Sequence, residues 1–266
     1  FNEIENELIV KFDKLQEGKT SLKLNPSIQI PKYYKYPIHR TTGGWDGHEH
    51  MGFIHGELIH RKIVGKALTP AGGTAYNDIN SDRLKFASAA PRRDYKTILE
   101  VGCSSGPYTS KLSEVFPSSR ILACDLSASQ LVHAQRNGNA LGYAWELFQA
   151  DGRFTGLEEN SVDLFTSYII LHELPVDIIS EVLNEGFRVL KSGGELFFGD
   201  VAPFSAMDKL SSWRTDYLAR YGGEPYWRGS ATMDMISEMK KIGFIDIKYK
   251  GMEPKNYPWI TFGRKP

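Results

Sequence analysis

The chain has 266 residues, 41% of them hydrophobic, which is enough for one large domain that buries its own core without disulfides. Lys plus Arg and Asp plus Glu both total 32, and this balance argues against nucleic-acid partners and membrane surfaces. No apolar run reaches the ~18 residues of a membrane span. The two cysteines and the lack of a signal-peptide pattern favour a cytoplasmic location. The chain begins with Phe1 rather than Met, which indicates a processed or trimmed product.

Secondary-structure patterns change near residue 95, where an irregular segment rich in aromatic residues, His and Gly gives way to regular alternation. The patterns predict strands at 97–101, 120–124, 145–149, 162–167, 195–199, 244–250 and 260–264. They predict helices at 108–115, 127–138, 176–190 and 231–242, and a further helix at about 51–67 if the histidines of that segment serve ordinary packing. This alternation is typical of an α/β, doubly wound parallel sheet with helices on both faces. We expect an N-terminal cap over 1–94 and a core over 95–266, with an aromatic-rich insertion at 204–229.

The first predicted strand runs into a turn that contains Glu100, Gly102, Ser104 and Gly106. The two glycines allow a ligand to approach the backbone closely, and the next helix presents free N–H groups. The spacing G-x-x-x-G, with Ser104 in the middle, differs from the G-x-G-x-x-G pattern of dinucleotide sites. Glu100 favours a ligand with a positive amine. A plain strand-to-helix turn is the alternative interpretation.

Acidic residues also follow the second and third predicted strands. Asp125 lies 23 residues after Gly102, where a carboxylate can accept hydrogen bonds from ribose hydroxyls, although it also suits a helix cap. Asp151 and Gly152 follow the third strand, where a carboxylate can accept from the exocyclic amine of a purine, but Asp-Gly is equally an ordinary turn. Since ligands of doubly wound sheets bind at the carboxyl ends of the strands, we expect a site around 100–106, 125, 151 and 167–173.

Taken in chain order, these motifs and the Lys-Ser-Gly-Gly segment at 191–194 resemble those of a class I S-adenosylmethionine-dependent methyltransferase. The resemblance covers about residues 95–265. It implies a Rossmann-like seven-stranded sheet with an antiparallel last strand and a mainly helical N-terminal cap. It also implies S-adenosyl-L-methionine as cofactor and S-adenosyl-L-homocysteine as product. The residues it assigns to the cofactor are Glu100, Gly102, Ser104 and Gly106 around the methionine part, Asp125 at the ribose, Leu126 beside the adenine, Asp151 and Gly152 at the adenine amine, and Ser167 and Tyr168 at the amino end.

His172, just after the fourth predicted strand, is the candidate general base. Imidazole titrates near neutrality, which suits it to take a hydroxyl proton as the methyl group arrives. The segment resembles the Leu-His-Asp stretch of plant and bacterial small-molecule O-methyltransferases, in which the histidine is the base. Here the neighbour is Glu173 rather than Asp, and no clear winged dimerisation domain precedes the core. Two alternatives remain for His172. It contacts the substrate without transferring a proton, or it has a structural role such as capping the helix near Pro175.

Five of the seven histidines lie within residues 39–60. Asp46, His48 and His50 alternate as metal ligands sometimes do, but no Cys accompanies them and the spacing matches no metal motif, so we expect no metal. We expect a loop that folds over the cofactor cleft, with Tyr34 and Trp45 as apolar walls and His48 or His50 at the acceptor. Ordinary packing is the alternative.

The insertion contains Trp213, Tyr217 and Tyr221 at a spacing of four, which places them on one face of a helix. Such a stripe forms either core packing or a wall of the acceptor pocket, and we include the three rings as candidate substrate contacts. The acceptor is therefore expected to be planar or substantially apolar.

Together these patterns predict a methyltransferase, monomeric or homodimeric, that acts on a small organic, natural-product-like acceptor. O-methylation with His172 as general base is the leading hypothesis. N- or C-methylation of a small molecule and a non-catalytic S-adenosylmethionine-binding protein are the alternatives. A nicotinamide-dependent oxidoreductase is disfavoured by Ser104 and by the segment at 191–194. We expect no nucleic-acid or membrane partner.

Overall fold

The structure is a computed structural model that describes residues 7, 10–11, 14–38, 44–57, 79–254 and 256–266. Its strands are β1 (Ser21–Lys23), β2 (Thr97–Val101), β3 (Arg120–Asp125), β4 (Glu146–Gln149), β5 (Val162–Tyr168), β6 (Leu190–Asp200), β7 (Ile245–Gly251) and β8 (Trp259–Arg264). Its helices are α1 (Met51–Phe53), α2 (Ile79–Ser88), α3 (Pro107–Val115), α4 (Ala128–Ala140), α5 (Val176–Val189), α6 (Lys209–Gly222), α7 (Trp227–Thr232) and α8 (Met235–Ile242). Short 3₁₀ turns lie at Lys32–Lys35, Gly44–Asp46, Leu171–Glu173 and Phe204–Ala206.

The strands form a single sheet in the order β1-β4-β3-β2-β5-β6-β8-β7. All neighbouring strands from β1 to β6 are parallel, and β8 runs antiparallel to both β6 and β7. The predicted doubly wound α/β class and the antiparallel last strand are therefore confirmed. The strand order reverses at β2, which has β3 on one side and β5 on the other, and such a switch point creates a crevice for ligands.

The sheet has eight strands rather than the expected seven. The additional strand, β1, comes from the N-terminal segment and extends the sheet edge by pairing with β4, with Leu22 opposite Leu147. It satisfies backbone groups that an edge strand leaves unpaired. A three-residue strand shows too little alternation for a sequence pattern to reveal it. The described part of this segment thus combines one short strand with several helical stretches, and the division of the chain at residue 94 stays a prediction.

Each face of the sheet carries its own apolar layer, because successive side chains of a strand point to opposite faces. In β2, Ile98 belongs to one layer and Leu99 to the other, and in β6 the same holds for Phe197 and Phe198. Parallel sheets need this cover on both sides. The helices that provide it hold the carboxyl ends of the strands in fixed positions.

Two predicted helices differ from their expected bounds. The late helix predicted at 231–242 is two helices, α7 and α8, because Asp234 interrupts it and caps α8 by accepting a hydrogen bond from the Ser237 N–H at 3.1 Å. The helix predicted at 51–67 begins as the single turn α1, and its part after residue 57 lies outside the described residues. Within the part of the chain that the structure describes, no helix is long and apolar enough to span a membrane.

We expect Gly199→Ala to lower the free energy of unfolding by about 1–3 kcal/mol, because there is no room for a side chain at this position. A Cβ there would lie 2.7 Å from the ring of Phe86, which stacks on Phe197 at 4.4 Å between ring centroids. Gly222→Ala is the control: a Cβ at Gly222 meets nothing within 4 Å, so its effect should stay within about 0.5 kcal/mol. Urea unfolding measures both variants. Equal stability of the two would show that the Phe86 ring moves aside at little cost.

Candidate active site

A cavity of about 660 Å³ opens where the carboxyl ends of β2, β3, β4 and β5 meet. Its position is the one that doubly wound sheets use for ligands. Most of the residues predicted from the sequence line it, namely Tyr34, Trp45, Glu100, Gly102, Ser104, Asp125, Leu126, Asp151, Gly152, Tyr168 and His172. Residues more than 100 positions apart in the sequence therefore share one cavity.

Other predicted site residues lie outside the cavity lining. Gly106 is the N-cap residue just before α3 and lies beside the indole of Trp145, and Ser167 is buried in β5. His48 accepts a hydrogen bond through Nδ1 from the backbone N–H of His50 at 3.0 Å, so the two histidines stabilise a local turn. Neither of these two imidazoles lines the cavity.

The predicted acceptor wall on the insertion is not formed in this structure. Trp213, Tyr217 and Tyr221 lie along the outer face of α6, where 64%, 49% and 60% of their surfaces are exposed. Their rings contact one another, at centroid distances of 5.6 and 4.6 Å, instead of lining the cavity. The spacing of four correctly places them on one helix face, but spacing alone cannot tell which face meets the core. The insertion contributes Glu224 and Trp227 to the cavity instead.

The turn after β2 contains three residues with left-handed backbone angles, Gly102, Ser104 and Gly106. Gly102 has φ +68°, and any Cβ there would overlap the side chain of Ile170. Ser104 has φ +51° and donates its backbone N–H to Asp125 Oδ2 at 2.9 Å. Its hydroxyl donates to Gln130 Oε1 at 3.0 Å. The turn is thus tied to both the end of β3 and the first turn of α4.

Asp125 is held by three donors at the end of β3. In addition to Ser104, the backbone N–H of Ser127 donates to its Oδ1 at 2.9 Å, and the hydroxyl of Tyr34 lies 3.5 Å from the same oxygen. Burial raises the pKa of Asp125 to about 6, although the backbone donors favour the ionised form. A hydroxyl donor from a ligand would further favour the ionised carboxylate.

Glu100 is a buried acid at the end of β2. It accepts a hydrogen bond from the hydroxyl of Thr109 at 2.6 Å, and burial raises its pKa to about 8. The positive charge of Arg83 partly offsets that increase. Arg83 comes from α2, is itself buried, and has its guanidinium 5.8 Å from the ring centre of Tyr168. No motif in the sequence marks Arg83, because its role depends on how α2 packs beside β2.

Asp151, at the turn after β4, forms an ion pair with Arg153. The guanidinium Nη2 lies 2.8 Å from Oδ2, and the Arg153 backbone N–H donates to Oδ1 at 3.0 Å. The same guanidinium lies 5.8 Å from the ring centre of Tyr33, which also lines the cavity. The Asp-Gly turn therefore places the carboxylate of Asp151 at the cavity wall, paired with Arg153.

His172 lies in the 3₁₀ turn after β5 and is almost fully buried. Its Nδ1–H donates to Asp200 Oδ1 at 2.8 Å, and its Nε2 lies 3.4 Å from Glu173 Oε1. Burial alone would lower the pKa of His172, but the carboxylates of Asp200 and Glu173 outweigh it and raise this pKa well above its usual value. His172 does not cap α5, whose N-cap is Pro175 without a side-chain bond.

Glu224 and Trp227 complete the surroundings of His172, and no sequence pattern singles them out individually. One oxygen of Glu224, one of Glu173 and a ring nitrogen of His172 lie within 4.8 Å of one another. The indole of Trp227 lies 5.0 Å from the imidazole, measured between ring centroids. Among the described residues, this is where metal-type ligand atoms converge, whereas the histidines of residues 44–57 form no such group.

A covering segment, defined as residues 31–38 and 44–57, lies over the side of the cavity next to α4. The hydroxyl of Ser127 donates to Asp46 Oδ1 at 2.6 Å, and the N–H of Gly52 donates to the Ser129 hydroxyl at 2.8 Å. Trp45 packs edge-on against His55, and both line the cavity. His39 and His60, also noted in the sequence, lie outside the described residues.

Comparison with known proteins gives a consistent result for the core. Residues 98–194 match a family model described as a methyltransferase domain. Over 133 residues the chain is 27% identical to a malonyl-[acyl-carrier protein] O-methyltransferase of Legionella pneumophila, covering 50% of this chain and 44% of that protein. Over 172 residues it is 32% identical to an arsenite methyltransferase of Aquipseudomonas alcaligenes, covering 59% and 46%. The chain thus spans less than half the length of these two relatives.

Among solved structures, a phosphoethanolamine N-methyltransferase 2 of Haemonchus contortus in complex with S-adenosyl-L-methionine superimposes with a TM-score of 0.60. The match covers 89% of this chain and 60% of that chain at 16% identity. At this identity the likeness shows the shared fold. It includes much of the chain outside residues 98–194.

We expect the unfolding free energy of the ligand-free protein to fall as pH rises from about 4.5 to about 8, because of Glu100. In that interval the folded state keeps the proton of Glu100 while the unfolded chain has lost it, so the folded state binds more protons and loses stability with rising pH. Glu100→Gln should flatten this decline. Denaturant unfolding at pH 5, 6.5 and 8 measures it, with Glu114→Gln as the control. An identical slope in wild type and Glu100→Gln would mean that Glu100 is ionised in the folded protein.

Proposed function

We propose that this chain, whose residues 98–194 match a methyltransferase domain, is a class I S-adenosylmethionine-dependent methyltransferase that transfers a methyl group from S-adenosylmethionine to an oxygen of a small organic acceptor. The observation that carries the proposal is the placement of His172 in the same cavity as Glu100, Asp125 and Asp151. The three carboxylates follow three neighbouring strands and suit one ligand, while His172 lies beside a second group of polar and aromatic side chains.

The residues at the ends of β2, β3 and β4 fit the cofactor chemically. Glu100 suits an amino group, Asp125 suits ribose hydroxyls, and Asp151 suits the exocyclic amine of adenine, since carboxylates are hydrogen-bond acceptors. Gln130 supports the fit, because its amide nitrogen is buried in the cavity wall and has no hydrogen-bond partner among the described residues. Buried donors are normally satisfied, so a ligand is the expected partner. The remaining residues we propose for the cofactor are Gly102, Ser104, Leu126, Gly152 and Tyr168.

S-adenosylmethionine supplies an activated methyl group on a sulfonium when it is bound. The task of the protein is then to align the acceptor, exclude water and accept a proton. Asp200 fixes the orientation of His172 by accepting from Nδ1, which leaves Nε2 on the side of Glu173 and Glu224. We propose that Nε2 takes the proton of the acceptor hydroxyl, and that Trp227 forms an apolar wall beside it.

We also propose that the covering segment acts as a lid. It contributes Tyr33, Tyr34 and Trp45 to the cavity wall, so it must shift for ligands to exchange. It is tied to the insertion by a hydrogen bond from the Tyr226 hydroxyl to the Tyr33 carbonyl at 3.3 Å. Movement of the lid would therefore be coupled to the part of the chain that carries Glu224.

Cofactor binding predicts that S-adenosylhomocysteine stabilises the protein, by about 2.7 kcal/mol at 100 times its dissociation constant. Asp125→Asn should weaken this binding more than tenfold, since a hydrogen bond to a charged group contributes about 1.5–3 kcal/mol. Asp94→Asn, at an exposed residue paired with Arg92, is the control. Calorimetry measures the affinities. If the wild type does not bind S-adenosylhomocysteine, the proposed cofactor is wrong, and equal binding by both variants would remove Asp125 from the site.

The base assignment predicts that His172→Asn lowers kcat by about 10²-fold or more while changing the S-adenosylhomocysteine affinity little. Formation of S-adenosylhomocysteine with hydroxylated aromatic acceptors gives kcat. Because the pKa of His172 is raised, the neutral base forms only above its usual titration range, and wild-type kcat should rise with pH there. Glu173→Gln removes one of the charges that raise this pKa and should shift the rise to lower pH. Equal losses of turnover and cofactor affinity in His172→Asn would contradict the assignment.

A further inference from the structure

Gln130 is the most buried polar side chain of the cavity wall that the function proposed above leaves without a defined role. Only 1% of its surface is exposed, and its Nε2 has no hydrogen-bond partner among the described residues. Leaving a buried amide donor without a partner is unfavourable, so such a group is usually completed by a ligand. Since Gln130 lines the cavity, that ligand is one that the cavity binds.

The orientation of the amide is set by Ser104. The Ser104 hydroxyl donates to Gln130 Oε1 at 3.0 Å, which engages the oxygen of the amide and leaves its nitrogen available to the cavity. Ser104 lies at the middle of the turn between Gly102 and Gly106. In this chain, the serine has a φ of +51°, a conformation that glycine adopts more easily. A glycine at this position would lack the hydroxyl that donates to Gln130.

Ser104 also connects Gln130 to Asp125. The Ser104 N–H donates to Asp125 Oδ2 at 2.9 Å, so the amide and the carboxylate are both hydrogen-bonded to one residue. The ionised carboxylate of Asp125 accepts hydrogen bonds but cannot donate them, whereas the Gln130 nitrogen donates but cannot accept. A hydroxyl group does both, since it has one proton and two lone pairs. An acceptor and a donor that are both tied to Ser104 are complementary to a hydroxyl.

We propose that Gln130, oriented by Ser104, binds a ribose hydroxyl of the cofactor by donating to the oxygen whose proton goes to Asp125. This inference rests on the proposed function, because it requires an S-adenosyl ligand in the cavity. It makes Gln130 a cofactor-binding residue and Ser104 its positioning residue. The serine at the centre of the glycine turn is then part of the binding site, which accounts for its strained backbone.

The test is the affinity for S-adenosylhomocysteine, measured by calorimetry. Gln130→Met keeps the length of the side chain but cannot donate, and should weaken binding about tenfold, the effect of one lost hydrogen bond in a dry site. Gln130→Glu should weaken it further, because a carboxylate cannot donate and repels Asp125. Gln135→Met is the control, since that residue lies on the same helix and donates to the Thr20 carbonyl instead.

A double-mutant cycle tests the role of Ser104. Ser104→Gly relieves the backbone and should fold well, so a loss of affinity in this variant reports the lost orientation of Gln130. In the Ser104→Gly background, Gln130→Met should cost clearly less than in wild type. The 2′-deoxy and 3′-deoxy forms of S-adenosylhomocysteine show which ribose hydroxyl Gln130 contacts. The analogue that lacks this hydroxyl should bind wild type and Gln130→Met with equal affinity.

The outcomes separate this inference from the function on which it rests. If wild type does not bind S-adenosylhomocysteine, the proposed function fails. If wild type binds it and Gln130→Glu binds as tightly, the amide does not donate, and the inference is wrong while the function stands. Additive effects in the cycle would exclude positioning by Ser104. A Gln130→Met loss that persists against both deoxy analogues would exclude the ribose contact.

Discussion

The carboxylate of Asp200 fixes the geometry on which the acceptor side of the cavity depends. It lies at the end of β6 and accepts the backbone N–H groups of Ile170, Leu171 and Val201 at 2.6–2.8 Å, in addition to Nδ1 of His172. The chain leaves β5 through Ile169, whose φ of +62° is costly for a β-branched residue. The hydrogen bonds to Asp200 compensate for that cost. One buried acid therefore determines both the path of the backbone after β5 and the orientation of His172.

The cofactor side depends on a different balance. Burying carboxylates such as Glu100 and Asp125 in an apolar cavity disfavours their ionised forms, and their raised pKa values reflect it. Thr109 and the backbone donors around Asp125 offset only part of the cost. A cationic ligand that also donates hydrogen bonds would again favour the ionised forms of these carboxylates. Under the proposed function, the cofactor would offset this electrostatic cost, and the gain would contribute to its binding free energy.

The sequence predicts the core well because local patterns and the physics of parallel sheets agree there. Strand β2 is found at the predicted residues 97–101, and the acidic residues after β2, β3 and β4 converge because carboxyl ends of parallel strands share one edge. Prediction is weaker where the outcome depends on packing between distant segments. Tertiary contacts, which leave no local periodicity, determine three such features. They are the face that α6 turns to the core, the approach of Arg83 to Glu100 and the addition of β1 to the sheet.

This division between core and periphery also bears on the acceptor. The matched stretch, residues 98–194, contains the proposed cofactor residues and His172, whereas Glu224, Trp227 and the covering segment lie outside it. The parts that close the proposed acceptor side thus come from segments that the family model does not match. Two enzymes with the same core can therefore methylate different molecules. The identity of the acceptor has to be derived from how the covering segment and the insertion, joined through Tyr33 and Tyr226, shape the space around His172.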